Sequence, residues 1–215
     1  MRFTVIGSIV LAFAAGVMAP RLVEKIDARA HPKPAHSTFW LERVEGFAAF
    51  NPPTDVAFIG DSLTDRAEWA EIFPGVHVAN RGLSGDVTMG LLQRISDIPK
   101  ANKAFVMIGI NDLKRDFPVA NVFDNYSKAV AAIASTGTRV YVQSTIECNA
   151  RLDADCPLAN VRSLNARLRT LPNFIDLNAS MSGVDGLKPA YTLDGIHLNA
   201  AGYAAWRDAI SAHVR

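Results

Sequence analysis

Short runs of apolar residues alternate with longer segments of helical periodicity along most of the chain. Five runs rich in β-branched and aromatic side chains predict buried strands at residues 55–59, 76–79, 104–108, 139–143 and 174–177. Apolar positions at helical spacing predict helices over residues 67–73, 88–98, 119–135, 158–171 and 200–213. Near-continuous apolar strands separated by helices are typical of a parallel sheet covered on both faces. The pattern therefore predicts a single three-layer α/β/α domain.

This domain is expected to begin near Ser37. Residues 37–50 have the pattern of a short amphipathic helix that starts at Ser37 or Thr38 as N-cap and stops before the prolines at 52 and 53. Residues 20–36 contain the sequence HPKP, which resists helix formation, and they are predicted to be a linker. The predicted domain thus covers residues 37–215.

The amino-terminal segment has a different composition. Residues 3–19 carry no charge and end in small residues, which predicts that residues 1–19 are a signal peptide cleaved after Ala19 or a membrane anchor. A buried helix of the domain is the third interpretation. We expect a periplasmic or extracytoplasmic protein, secreted or tethered to the membrane through residues 3–19. Four basic residues just beyond this segment favour the cytoplasmic side and leave its orientation open; they are Arg21, Lys25, Arg29 and Lys33.

Composition and charge exclude several classes of protein. The 215 residues are 49% hydrophobic, which is enough for one sizeable core and too much for a disordered chain. Lys and Arg number 22 against 21 Asp and Glu, so the net charge of +1 gives no general attraction to nucleic acid, and none is expected as a partner. The two cysteines, Cys148 and Cys156, either close a small disulfide ring or are unrelated thiols. His31, His36, His77 and His213 do not have the sequence spacing of metal ligands, so no metal site is expected.

Candidate chemistry is concentrated in the loops that follow the predicted strands. Ligands of such sheets bind beyond the carboxyl ends of the strands, where the chain turns into helices. Three of these loops consist mainly of small or polar residues, at 60–64, 80–86 and 109–112. A fourth candidate segment, residues 193–198, follows the last strand and precedes the last helix.

These loops contain the groups that acyl transfer requires. Ser62 at a strand-to-helix turn is a candidate nucleophile, His197 a candidate base, and Asp194 a candidate to orient the imidazole. The candidate oxyanion donors are the backbone N–H groups of Ser62 and Gly85 and the side-chain amide of Asn111. Taken singly, each has a structural alternative, because serine also caps helices and glycine also occupies turns.

Four short blocks resemble, in order and spacing, those of the SGNH (GDSL) hydrolases. They are GDSL at residues 60–63, the glycine of SGD at 85, GxND at 109–112 and DxxH at 194–197. The resemblance implies a flavodoxin-like parallel sheet of about five strands and hydrolysis of esters or thioesters without a metal or organic cofactor. It also implies the same roles for Ser62, Gly85, Asn111, Asp194 and His197 as the loops suggest.

The residues around the blocks are most similar to the platelet-activating-factor acetylhydrolase-like and carbohydrate acetylesterase branch, which favours small acyl groups. We therefore expect a serine esterase that hydrolyses short-acyl, chiefly acetyl, esters of a small molecule or glycan through an acyl-serine intermediate. Alternatives are a lysophospholipase or thioesterase, an acyltransferase, and an inactive envelope scaffold that binds carbohydrate. Glu68 and Trp69 are candidate substrate-binding residues, with core packing as the alternative for Trp69. The oligomeric state is left open.

Overall fold

The computed structural model describes residues 37–215. The predicted signal peptide or anchor at 1–19 and the predicted linker at 20–36 lie outside the described residues. Within residues 37–215, no helix has both the length and the apolar composition that a membrane crossing requires.

Five parallel strands form the central sheet, which confirms the predicted α/β architecture. They are β1 (Thr54–Gly60), β2 (Val78–Gly82), β3 (Ala101–Met107), β4 (Arg139–Gln143) and β5 (Phe174–Ile175). Their spatial order is β2-β1-β3-β4-β5. Gly60 at the end of β1 pairs in register with Gly82 of β2 and Met107 of β3, so the three strands end at one edge of the sheet.

Helices lie on both faces of this sheet. In chain order they are α1 (Thr38–Ala49), α2 (Ser62–Asp65), α3 (Trp69–Ile72), α4 (Thr88–Gln93), α5 (Ile110–Lys114), α6 (Val119–Ala134), α7 (Leu158–Leu168), α8 (Asn178–Met181) and α9 (Ala200–Val214). The chain also forms 3-10 turns at Ile95–Asp97 and Pro189–Tyr191 and a small hairpin of β6 (Ser182–Gly183) and β7 (Gly186–Leu187).

The strands are apolar throughout because successive side chains face two separate cores. On one face, Ala57 and Val106 belong to a cluster that also contains Tyr126 of α6. On the other face, Phe58 and Phe105 belong to a cluster that also contains Trp206 of α9. Both clusters are almost fully excluded from solvent, so the sheet is a rigid platform for the loops at its edge.

Two predicted segments are placed differently by the structure. The predicted helix at 67–73 is the shorter α3, Trp69–Ile72. A separate short helix, α2, precedes it and begins at Ser62, where the Asp61 side chain caps it by accepting the Leu63 N–H at 3.1 Å. The predicted strand at 76–79 is shifted to Val78–Gly82. The predicted cap of α1 is confirmed, since Ser37 Oγ accepts the Trp40 N–H at 3.1 Å.

Candidate active site

Ser62 lies directly beyond the carboxyl end of β1, at the first position of α2. The approach of this strand to its neighbours is very close: a Cβ atom at Gly60 would lie 2.1 Å from the carbonyl oxygen of Met107. A side chain at position 60 would therefore collide with the neighbouring strand, so only glycine fits where β1 leads to Ser62. Ser62 is 8% exposed and therefore nearly buried at this edge of the sheet.

His197 and Asp194 reach Ser62 from the loop that precedes α9. The Nε2 atom of His197 lies 3.1 Å from Ser62 Oγ, and its Nδ1 atom lies 2.6 Å from Asp194 Oδ2. The three side chains thus form a continuous hydrogen-bonded chain from hydroxyl to imidazole to carboxylate. This is the arrangement in which an imidazole can accept the proton of a serine hydroxyl.

The second oxygen of Asp194 organises its own loop. Oδ1 accepts the backbone N–H of Ile196 at 2.9 Å and that of His197 at 2.7 Å. Partial burial acts to raise the pKa of Asp194, but the hydrogen bonds from the His197 ring and from these two N–H groups outweigh it. The pKa of Asp194 is consequently held well below its ordinary value, so this residue is a carboxylate at neutral pH.

The candidate oxyanion donors lie on the neighbouring loops, and hydrogen bonds connect them. The Asn111 side-chain amide donates to the Asp86 carbonyl at 2.9 Å, which uses one of its two N–H groups. The Arg115 guanidinium donates to the carbonyl of Gly85 at 3.0 Å. Gly85 is exposed and has a φ of +79°, a conformation that favours glycine. The Ser62 N–H, at the start of α2, has no acceptor within that helix.

A buried ionic group supports these loops, and its central residue was not predicted from the sequence. The Arg94 guanidinium, fully buried, donates to Asp86 Oδ2 at 2.8 Å, to the Arg81 carbonyl at 3.0 Å and to the Gly60 carbonyl at 3.1 Å. It therefore joins the end of β1 to the end of β2 and to the loop of Gly85. A single arginine in an amphipathic helix has no spacing signal that would have singled it out.

Two further carboxyl groups are buried beside the site. Burial raises the pKa of Asp61 to about 7 and that of Asp112 to about 7. Asp112 accepts the N–H and the hydroxyl of Thr88 and thereby caps α4 rather than its own helix. Both residues brace backbone at the strand edge.

The two predicted substrate-binding residues, Glu68 and Trp69, lie in different environments: Glu68 is exposed and Trp69 is buried. For Trp69 the structure agrees with core packing, the alternative interpretation, and not with substrate binding: the residue is 2% exposed, its ring stacks on Phe58 at 3.8 Å between centroids, and its Nε1 donates to the Thr64 carbonyl. This residue belongs to the core because the short helix α3 turns it toward the sheet. Glu68 is exposed and lines a surface groove with Arg66, Tyr203 and Arg207. Its role in substrate binding stays a prediction.

Cys148 and Cys156 form a disulfide bond with a Cα–Cα distance of 5.7 Å, as one of the two interpretations of the sequence predicted. Among residues 37–215, no group of three or more His, Cys, Asp or Glu side chains is arranged to hold a metal ion.

Comparison with known proteins identifies one protein family and several solved structures of similar fold. Residues 58–205 match the model of the GDSL-like lipase/acylhydrolase family. A search of curated proteins gave no match. Among solved structures, a candidate platelet activating factor from Streptococcus pneumoniae is similar, with a TM-score of 0.70 at 22% identity over 92% of this chain and 99% of the other.

Two further solved structures are similar. A GDSL-like lipase from Bacteroides thetaiotaomicron has a TM-score of 0.69 at 21% identity, over 81% of this chain and 96% of the other. An acetylxylan esterase from Geobacillus stearothermophilus has a TM-score of 0.60 at 19% identity, over 75% of this chain and 94% of the other. At these identities the likeness is one of fold.

Proposed function

Because the chain belongs to the GDSL-like lipase/acylhydrolase family, we propose that it hydrolyses short-acyl esters, and acetyl esters in particular, through an acyl-serine intermediate. The chain is a serine ester hydrolase of that family; the acyl group, the alcohol and the roles of individual residues are the proposal. The observation that carries it is the 3.1 Å contact between Ser62 Oγ and His197 Nε2, with Asp194 on the other ring nitrogen.

The first half of the reaction forms the acyl-enzyme. Ser62 Oγ attacks the ester carbonyl carbon while His197 Nε2 accepts the hydroxyl proton, and Asp194 stabilises the resulting imidazolium. The tetrahedral intermediate then collapses, the bond to the alcohol oxygen breaks, and His197 returns its proton to that oxygen. The second half repeats these steps with water as the nucleophile, releasing the acid and restoring Ser62.

The developing oxyanion needs donors that are already in place. The N–H of Ser62, the N–H of Gly85 and the free amide hydrogen of Asn111 are the three candidates. They are supported by the Arg115 contact to Gly85 and the Asn111 contact to Asp86, which tie α5 to the loop that carries Gly85. Little reorganisation would be required during the reaction.

We expect Asn111→Ala to lower kcat for p-nitrophenyl acetate by about 10²- to 10³-fold, as loss of one oxyanion donor typically does, with little change in KM. The matched control is Asn102→Ala, which removes an exposed amide from β3. Steady-state kinetics on both variants and the wild type test this. A kcat equal to that of the wild type would remove Asn111 from the oxyanion hole.

Two observations favour a small acyl group. The sequence around the four blocks resembles the carbohydrate acetylesterase branch, and one protein with the same fold is an acetylxylan esterase. The same two resemblances are the basis for proposing that the alcohol half of the substrate is a carbohydrate hydroxyl.

The acyl-length preference is tested with p-nitrophenyl acetate, butyrate and palmitate, and with an acetylated xylo-oligosaccharide. We expect kcat/KM for the acetate to exceed that for the palmitate by about 100-fold or more, since a pocket that excludes additional methylenes discriminates by at least that much. Release of acetate from the oligosaccharide would support the carbohydrate substrate. A preference for palmitate would instead identify a lipase or thioesterase, and no turnover of any ester would leave the scaffold interpretation.

A further inference from the structure

The disulfide bond closes a nine-residue segment, residues 148–156, that lies between two parts of the active site. We call this segment the disulfide ring. Its ends are held by the Cys148–Cys156 bond, and its interior is ordered by Asn149, whose Oδ1 accepts the N–H groups of Arg151 and Leu152 at 3.0 and 3.1 Å. The Asn149 amide also donates to the Leu187 carbonyl at 2.6 Å. The ring is therefore a loop fixed by internal bonds and by a hydrogen bond to β7.

One side of the disulfide ring contacts the loop of the acid and the base. The Asn149 N–H donates to the carbonyl of Gly195 at 2.7 Å. Gly195 has a φ of +86°, and a Cβ atom there would lie 3.0 Å from the Leu152 Cβ and from the Asp153 backbone nitrogen. Since Gly195 immediately follows Asp194 in the chain, the ring packs directly against the turn that sets the distance between Asp194 and His197.

The other side contacts the helix of the oxyanion hole. Asp153 Oδ2 lies 2.6 Å from the ammonium nitrogen of Lys114, with 13% and 25% of the two side chains exposed. Lys114 is the last residue of α5, the five-residue helix whose second residue is Asn111. Partial burial makes this ion pair stronger than one in open solvent, where the Coulomb attraction is largely screened.

We propose that the disulfide ring positions the catalytic groups: it holds the Asp194–His197 loop through Gly195 and the Asn111 helix through the Lys114–Asp153 ion pair. This inference rests on the proposed function. Asp153 and the ring touch no reacting atom, so they are positioning residues. Without the contacts of the ring, the loop of Asp194 and His197 and the helix of Asn111 are no longer held by one common segment. Each can then shift relative to Ser62.

The ion pair is tested by Asp153→Asn. We expect kcat for p-nitrophenyl acetate to fall about 10-fold or more while KM changes less than about 2-fold, because a small misplacement affects the transition state more than binding. Labelling of Ser62 by a serine-directed phosphonate is expected to slow in parallel. The matched control is Asp124→Asn, which breaks a Lys–Asp pair of 2.7 Å on the exposed face of α6 and should leave both rates unchanged.

The ring itself is tested by the double variant Cys148→Ala/Cys156→Ala, assayed well below its Tm. We expect a fall in kcat of about 10- to 100-fold, again with little change in KM. If the double variant does not fold, Asp153→Asn decides the question. If both rates for Asp153→Asn equal those of the wild type, the ring only stabilises the fold and the inference is wrong. An inactive, unlabelled wild type would instead overturn the proposed function.

Discussion

Ser62→Ala is expected to reduce kcat for p-nitrophenyl acetate by at least about 10⁴-fold. The Oγ atom is the proposed nucleophile and the partner of His197 Nε2 at 3.1 Å, so its removal takes away the atom that would form the acyl-enzyme. The oxyanion donors and the substrate contacts remain, and they can account for a residual acceleration over water. Incorporation of the phosphonate label should be lost completely.

The fold of this variant is expected to be intact, because Ser62 caps nothing: the cap of α2 is the Asp61 side chain. Circular dichroism and Tm measure this directly. The matched control is Ser135→Ala, which removes an exposed hydroxyl at the end of α6 and should keep full activity. Normal turnover by Ser62→Ala would refute the assignment of the nucleophile.

Asp194→Asn should lower kcat by about 10⁴-fold, although it changes one atom of the side chain. The asparagine oxygen can still accept the N–H groups of Ile196 and His197, as Oδ1 of Asp194 does at 2.9 and 2.7 Å. Its NH₂ group then faces His197 Nδ1 and must donate to it. The imidazole is thereby forced into the tautomer with its proton on Nε2, which cannot accept a proton from Ser62.

The measurement is kcat and KM across pH for this variant beside Asp208→Asn, an exposed carboxylate on α9 that pairs with Arg207. The control should match the wild type. Asp194→Ala should be as inactive as Asp194→Asn but less stable, since it also loses both backbone hydrogen bonds of the loop. A kcat for Asp194→Asn within about 10-fold of the wild type would show that the carboxylate is dispensable.

Prediction from the sequence succeeded where short-range patterns determine the structure. The strands at residues 104–108 and 139–143 were found because burial on both faces requires near-continuous apolar side chains. The three loops at residues 60–64, 80–86 and 109–112 were found because parallel strands bring their carboxyl ends to one edge, which makes small and polar residues there meaningful. The proximity of Ser62, Asp194 and His197 followed from that topology.

The failures have a common physical origin in contacts between distant residues. β2 extends to Gly82 through Asn80 and Arg81, two polar residues that no strand pattern would include. Asn80 is stabilised there by donating to the Asp65 carbonyl at 3.0 Å, and Arg81 by donating to the Phe50 carbonyl at 3.0 Å. Such partners cannot be identified from a single sequence. The two interpretations of Trp69 could not be separated for the same reason, since its neighbours Phe58 and Trp206 come from separate elements.

Ser62 and His197 are 135 positions apart in the chain, so the site is assembled only when distant segments come together during folding. Neither half of the chain contains a working site, and the base arrives only when the segment before the final helix settles against the sheet edge. Contacts between such distant residues carry an entropic cost of loop closure that grows with the length of the chain between them. Given the proposed role of His197, we therefore expect a chain truncated before residue 197 to hydrolyse no ester.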